Sequence, residues 1–200
     1  MAQASQTLRE ITGMGFDYAG LKQSALIMVD CQNTYRHGVM QLTNIEPAIL
    51  EAKKLLEMAR DLNVPIIHIQ HDAGVGSPYD VSAEIGAISA EVAPKNGEDV
   101  IVKNYPNAFI ATDLEAKLKA LGIENVVLAG FMTHVCINST ARGAFNLGFK
   151  PTVVASACAT RSLIGAQGKM IDAQTMHEAA LAAVRDLFAV VVDDVASLKV

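Results

Sequence analysis

The 200-residue sequence predicts an α/β fold: a three-layer, Rossmann-like arrangement in which a six-stranded, mostly parallel sheet carries helices on both faces. Three observations carry that reading. Short apolar runs alternate with stretches of helical periodicity, and the runs end abruptly in polar or charged residues. The chain is 51% hydrophobic and only 18% charged, which supplies the apolar surface that a sheet buried on both faces requires. Its length suits one domain, so residues 1–200 are read as a single unit.

The elements follow in order. Residues 24–30 (SALIMVD) are a continuous apolar run closed by a carboxylate, the pattern of a doubly buried strand. Over 46–62, Ile49, Ala52, Leu56, Ala59 and Leu62 recur at helical spacing, and Asn63 stops the helix. A second strand covers 64–70, where Pro65 is tolerable because it stands at the strand's start. The glycine-bearing segment 72–98 is long for a loop and is expected to act as a lid or a contact surface. A brief third strand, 99–103, ends in Lys103. Thr112 and Glu115 have capping-box spacing ahead of a helix that carries Leu114, Leu118 and Leu121 and ends at Gly122. The fourth strand, 125–130, passes with almost no loop into a helix over 134–147, closed by Gly148. Residues 150–155 give strand five. A helix over 173–186, with Met176, Ala180, Val184 and Leu187 on one side, leads into strand six at 188–192. Such alternation implies right-handed crossovers.

Composition excludes several functions. The longest apolar runs, 25–29 and 189–192, fall far short of the roughly 20 residues that span a bilayer, so no membrane role is expected. A net charge of −5, no basic cluster and 5% aromatics argue against nucleic acid. Residues 1–20 carry Arg9, Glu10 and Asp17 and lack the apolar core of a secretory signal, so a cytoplasmic location is expected. Cys31, Cys136 and Cys158 are odd in number and lack metal-type spacing, against both a disulfide framework and a zinc knuckle. Ala179, Ala180, Ala182 and Ala183 surround much of the last helix, where a surface helix normally keeps a broad charged face; a homo-oligomer is expected.

In parallel α/β sheets, ligands sit at the carboxyl ends of the strands, near the point where strand order reverses. Asp30, Lys103 and the turn 130–136 all follow strand ends, so three distant segments converge on one sheet edge. Cys136 opens a helix, where free backbone N–H groups and the helix dipole favour a thiolate. A single cysteine is more often buried and inert. Asp30 and Lys103, taken alone, read as a structural ion pair. With a thiol between them, the carboxylate can act as general base while the ammonium stabilises the resulting anion.

The segments VDCQN at 29–33, VKNYPNAF at 102–109 and GFMTHVCINSTAR at 130–142 resemble the three signature regions of the isochorismatase-like cysteine hydrolases. The resemblance runs over 24–193, and the combination is specific although each piece alone is weak. It implies a six-stranded parallel sheet and a Cys136, Asp30 and Lys103 triad that needs no cofactor. It also implies a non-proline cis peptide between Phe131 and Met132, with the N–H groups of Met132 and Cys136 forming an oxyanion hole. Nicotinamidases of that family carry an Asp-x-His metal cluster after the first strand; none lies between Cys31 and Val64, which disfavours that activity.

Other residues complete the expected site. Gln32 and Asn33 follow the base and are candidates to orient it or the substrate, against ordinary turn chemistry. His71, Tyr105, Phe109 and Phe131 are candidate pocket residues. His68 and His71, three apart on a strand, point to opposite faces and are not read as a metal pair. His134 is read as a turn or pocket residue, and Cys31 and Cys158 as structural. The reading is hydrolysis of a small amide or carbamoyl substrate through a thioester. The alternatives are isochorismatase-type enol-ether hydrolysis and a redox-responsive thiol protein, the latter weakened by the lack of a nearby resolving cysteine. A dinucleotide-binding protein is weaker still, because DCQN follows the first strand where a glycine-rich turn belongs.

Overall fold

The computed structural model describes residues 5–200; residues 1–4, part of the stretch read as lacking a secretory signal, lie outside the described residues. Strands β1 (Ser24–Val29), β2 (Ile66–His71), β3 (Asp99–Lys103), β4 (Asn125–Phe131), β5 (Lys150–Ala159) and β8 (Val190–Val192) form the main sheet; β6 (Leu163–Ile164) and β7 (Met170–Ile171) form a separate antiparallel pair. The main sheet has the order β3-β2-β1-β4-β5-β8 and all its pairings are parallel, as the sequence predicts. Helix α2 (Ile45–Asp61) covers one face; α3 (Leu114–Ala120), α4 (Asn138–Asn146) and α5 (Ala173–Arg185) cover the other. A short α1 (Leu8–Ile11), absent from the sequence reading, carries a true capping box between Thr7 and Glu10.

Alternation along β1 divides the two layers. Leu26 and Met28 pack with Ile49, Ala52, Leu55 and Leu56 of α2, while Ala25, Ile27 and Val29 face Leu114, Leu118, Ala141 and Val184. Strand order reverses between β1 and β4. In parallel sheets, ligands bind at the carboxyl edge beside such a switch point.

Several local expectations change. No capping box forms at Thr112, whose hydroxyl donates to Ala108 O at 2.6 Å, while Glu115 pairs with Lys119 one turn on. Strand β5 continues to Ala159, four residues beyond its expected end, because a register shift between Leu128 and Gly130 lets Cys158 and Ala159 pair with Gly130 and Phe131. Gly130 is required there: its φ is +124°, and a Cβ would lie 1.9 Å from Val29 O. The last strand starts at Val190 rather than 188, because the Phe188 and Ala189 N–H groups both close helix α5 on Val184 O, at 2.8 and 2.9 Å.

Candidate active site

Asp30 stands one residue past β1, in the left-handed region at φ 50° and fully buried. Its own N–H donates to Ile69 O at 2.9 Å, and its carbonyl accepts from Gln32 N at 2.8 Å, so backbone bonds hold the turn. Lys103 is the last residue of β3, in register with His71 at the end of β2. Its side chain crosses the end of β2 to place Nζ 2.7 Å from Asp30 Oδ2, 3.0 Å from His71 Nδ1 and 3.5 Å from Cys136 Sγ. An ammonium has only donors, so His71 accepts at Nδ1 and keeps its own proton on Nε2.

Cys136 lies in a π-helical turn, Thr133–Ile137, that precedes α4. The sequence predicts a regular α-helix here. The wider turn arises because Val135 N–H and Ile137 N–H both donate to Met132 O, at 3.1 and 3.2 Å, and such single turns recur at functional sites. The Phe131–Met132 peptide at the turn's entry is cis.

Burial sets the electrostatics. Apart from the Lys103 ammonium and the Cys136 thiol, no donor among the described residues reaches the Asp30 oxygens, and desolvation raises the carboxyl above its usual range despite the pull of Lys103. Desolvation, followed by the adjacent Asp30 charge, pushes the Cys136 thiol up to about 12 against the opposing effect of Lys103. Burial and the neighbouring carboxylate thus oppose the thiolate that the helix start and Lys103 favour. The sulfur sits beside a carboxylate as well as a cation, in a place that water barely reaches. Burial and then the Lys103 charge bring His71 down to about 4, so it is neutral near pH 7.

The remaining candidates fall into different places. His71 touches the ammonium and meets Tyr79 edge-on, with ring centroids 4.9 Å apart. Gln32 is fully buried, and its amide donates to His71 O and Gly86 O and accepts from His71 N–H, all within 2.9 Å, which ties the segment 72–98 to β2. Asn33 likewise bonds Glu84 O and the Ser89 hydroxyl. Phe109 stacks on Phe149 in the core, at 5.7 Å between centroids, and Phe131 is fully buried against Tyr35, so neither presents a ring to a pocket; Tyr105 is exposed. Met132 is buried at the turn. His134 Nδ1 lies 2.5 Å from the Thr160 hydroxyl. His68 and His71 do diverge: His68 meets Glu98 at 2.8 Å, away from Lys103. Cys31 and Cys158 are buried, with Sγ directed at the carbonyls of Val29 and Val154.

Three residues near the site escape the sequence reading. Tyr35 and Tyr79 stand edge to face at 5.8 Å and continue the wall from His71 to Phe131. Arg161 follows the unexpected extension of β5, which explains why strand prediction leaves it in a distant loop. Tyr79 is contributed by the segment 72–98, which folds over this edge: Ile88 bridges to Gln32, and Glu98 at the segment's end is clamped by Arg60 at 2.7 and 2.9 Å.

Comparison with known proteins agrees with this architecture. A family model described as the isochorismatase domain matches residues 24–194. The chain is 38% identical to the isochorismatase family protein YddQ of Bacillus subtilis (strain 168), over 88% of this chain and 99% of that protein. A maleamate amidohydrolase of Pseudomonas putida is 31% identical, over 66% of this chain and 70% of that enzyme. The crystal structure of an isochorismatase from Pseudomonas putida KT2440 superposes with a TM-score of 0.93 at 35% identity, covering 98% of this chain and all of that one.

Proposed function

The chain belongs to the isochorismatase family of hydrolases, and from that premise we propose that it cleaves a small amide or carbamoyl C–N bond through a thioester on Cys136. One observation carries the reading: a thiol, a carboxylate and an ammonium, from three distant segments, meet within hydrogen-bonding reach in a desolvated site. The maleamate amidohydrolase among the relatives supports amide chemistry.

In this reading Asp30 is the base. Its raised basicity compensates for the weak acidity of the thiol, so the proton leaves Sγ as Sγ attacks the carbonyl carbon, rather than beforehand. The oxyanion of the tetrahedral intermediate is received by the N–H groups of Met132 and Cys136. The C–N bond breaks as the Asp30 carboxylic acid protonates the departing nitrogen, leaving a thioester. Asp30, again a carboxylate, takes a proton from water as the water attacks; collapse releases the acid, and the proton returns to Sγ. Lys103 holds the base in place and balances its charge, while neutral His71 fixes the ammonium. No cofactor takes part.

The substrate is a small molecule, and the working unit is a homo-oligomer. Support for the latter comes from apolar side chains left exposed at the carboxyl edge and the β6–β7 pair, Val39, Val75, Ile164 and Met170, and from the outward Ala179, Ala182 and Ala183 of α5. Among the described residues no helix is long and apolar enough to cross a membrane. A panel of amides, carbamoyl compounds and isochorismate, assayed for ammonia and acid release, tests the reading. Turnover of isochorismate alone would overturn it.

A further inference from the structure

The end of the sheet opposite the reaction carries a cavity. Asn125, Lys150 and Val190 are the first residues of β4, β5 and β8, and all three line it, whereas Asp30, Lys103 and Cys136 lie at or beyond the carboxyl ends of their strands. The seven residues of β4 span about 20 Å between the two edges. The N-terminal segment is fastened across the amino edge: Arg9 N–H donates to Asp186 O at 2.9 Å, Leu21 N–H to Lys199 O at 2.8 Å, and the Tyr18 hydroxyl to Ser197 O at 3.0 Å. Between this segment and the strand ends is a space of about 630 Å³, within the usual range of a small-molecule site.

The lining is mainly apolar, with Met14, Tyr18, Phe145, Phe149 and Val190 on its walls. Three charged residues also line it, and two of them are matched from outside: Lys150 by Glu124 at 3.1 Å and Asp17 by Lys199 at 2.6 Å. Arg9 is not matched. Its Nε donates to Gly15 O at 2.7 Å and its Nη1 to Leu187 O at 3.1 Å, and among the described residues no carboxylate pairs with it and Nη2 meets no acceptor. The nearby acids are engaged elsewhere, Glu10 by Thr7 and Asp186 by the Leu8 N–H. Carbonyls satisfy N–H groups without cancelling a charge, and burial lowers the basicity of Arg9 with no anion to oppose it.

We propose that this cavity is a second ligand site, which takes a small amphiphilic monocarboxylate: an aromatic or branched apolar body against Phe145, Phe149 and Val190, and one acid group on the Arg9 guanidinium. The free N–H groups of Nη2 suit a carboxylate oxygen, and a single negative charge completes the balance. A doubly charged phosphate would leave its second charge unmatched beside Asp17. The site is independent of the hydrolytic reading, and its test needs no turnover.

Calorimetric titration of hydrocinnamate and of its neutral analogue, hydrocinnamyl alcohol, into the full chain provides that test. The expected result is saturable binding of the acid, roughly 10-fold tighter than the alcohol, with that advantage lost in Arg9→Gln and partly kept in Arg9→Lys. Equal affinity for the two compounds, an acid preference unchanged in Arg9→Gln, or no binding of the acid at millimolar concentration would overturn the proposal. Because Arg9 also fastens the N-terminal segment, a second measurement locates the ligand in the native protein: nuclear Overhauser contacts are expected between the phenyl protons and the methyl groups of Met14 and Val190. Binding that disappears when Cys136 is alkylated would place the compound at the carboxyl edge and overturn the proposal. So would a native mass that falls in Met14→Glu, because a second copy of the chain would then cover the cavity.

Discussion

Lys103 Nζ and Asp30 Oδ2 lie 2.7 Å apart with both side chains fully buried. Such a pair is costly to break on one side, because the remaining charge stays in the interior. Lys103→Met is expected to destabilise the protein by about 3–5 kcal/mol in urea unfolding. Adding Asp30→Asn should recover much of that loss, while activity remains absent in both variants. A single-variant cost below about 1 kcal/mol, the level of an exposed pair, would show that the ammonium is not held in the interior as described.

The thiol has a distinctive reactivity. With its pKa pushed up to about 12, Cys136 holds only a trace of thiolate at pH 7. Its alkylation by iodoacetamide should therefore rise about tenfold per pH unit from 7 to 10, without levelling off. Cys136 is still expected to react before Cys31 and Cys158, whose sulfurs face carbonyls with no cation beside them. A plateau near neutrality, or Cys136 reacting last by peptide mass mapping, would contradict this.

Acid should weaken the fold in two stages. Burial and Lys103 bring the folded pKa of His71 to about 4, below its free value of 6.5, so its contribution is complete above 6.5 and is lost as pH falls towards 4. Burial acts to raise Glu98, but hydrogen bonds from Arg60, Lys95 N–H and His68 bring it to about 2; its contribution is present above 4.5 and disappears as pH falls through 2. Thermal midpoints measured from pH 8 to pH 2 should show both losses. His71→Gln should lessen the upper loss, to which His68, His134 and His177 also contribute because burial lowers each of them, and Glu98→Gln should lessen the lower one.

Assembly has a simple check. Light scattering at micromolar concentration should give a mass that is a multiple of the 21.2 kDa chain. Ile164→Glu with Met170→Glu, on the exposed apolar hairpin, should shift that mass downward. A native mass near 21 kDa would contradict the homo-oligomer.

Sequence reading works best where one physical requirement leaves one pattern. The doubly buried strands at 24–29 and 125–131 and the amphipathic α2 are of this kind, and so are Asp30 and Lys103, charged residues at the ends of apolar strands. It fails where tertiary contacts choose between local options. Gln32 and Asn33 have the chemistry of substrate ligands, yet the backbone of the segment 72–98 supplies acceptors first. Phe109 and Phe131 have the chemistry of pocket walls, but the core takes both rings. The extension of β5, and with it Arg161, depends on a bulge opposite Gly130 that no periodicity in 150–160 reveals. Tyr35 and Tyr79 are 44 residues apart in sequence and meet only because the segment 72–98 folds back over the edge.

The most direct test of Cys136 as nucleophile is the rate of ammonia release by Cys136→Ala protein, measured against the native protein on the amide that the native protein cleaves best. Removing a nucleophile that forms a covalent intermediate is expected to lower kcat by at least about 10³-fold, with the variant unfolding at a midpoint close to native. A folded variant that retains native turnover would contradict thioester catalysis at this site.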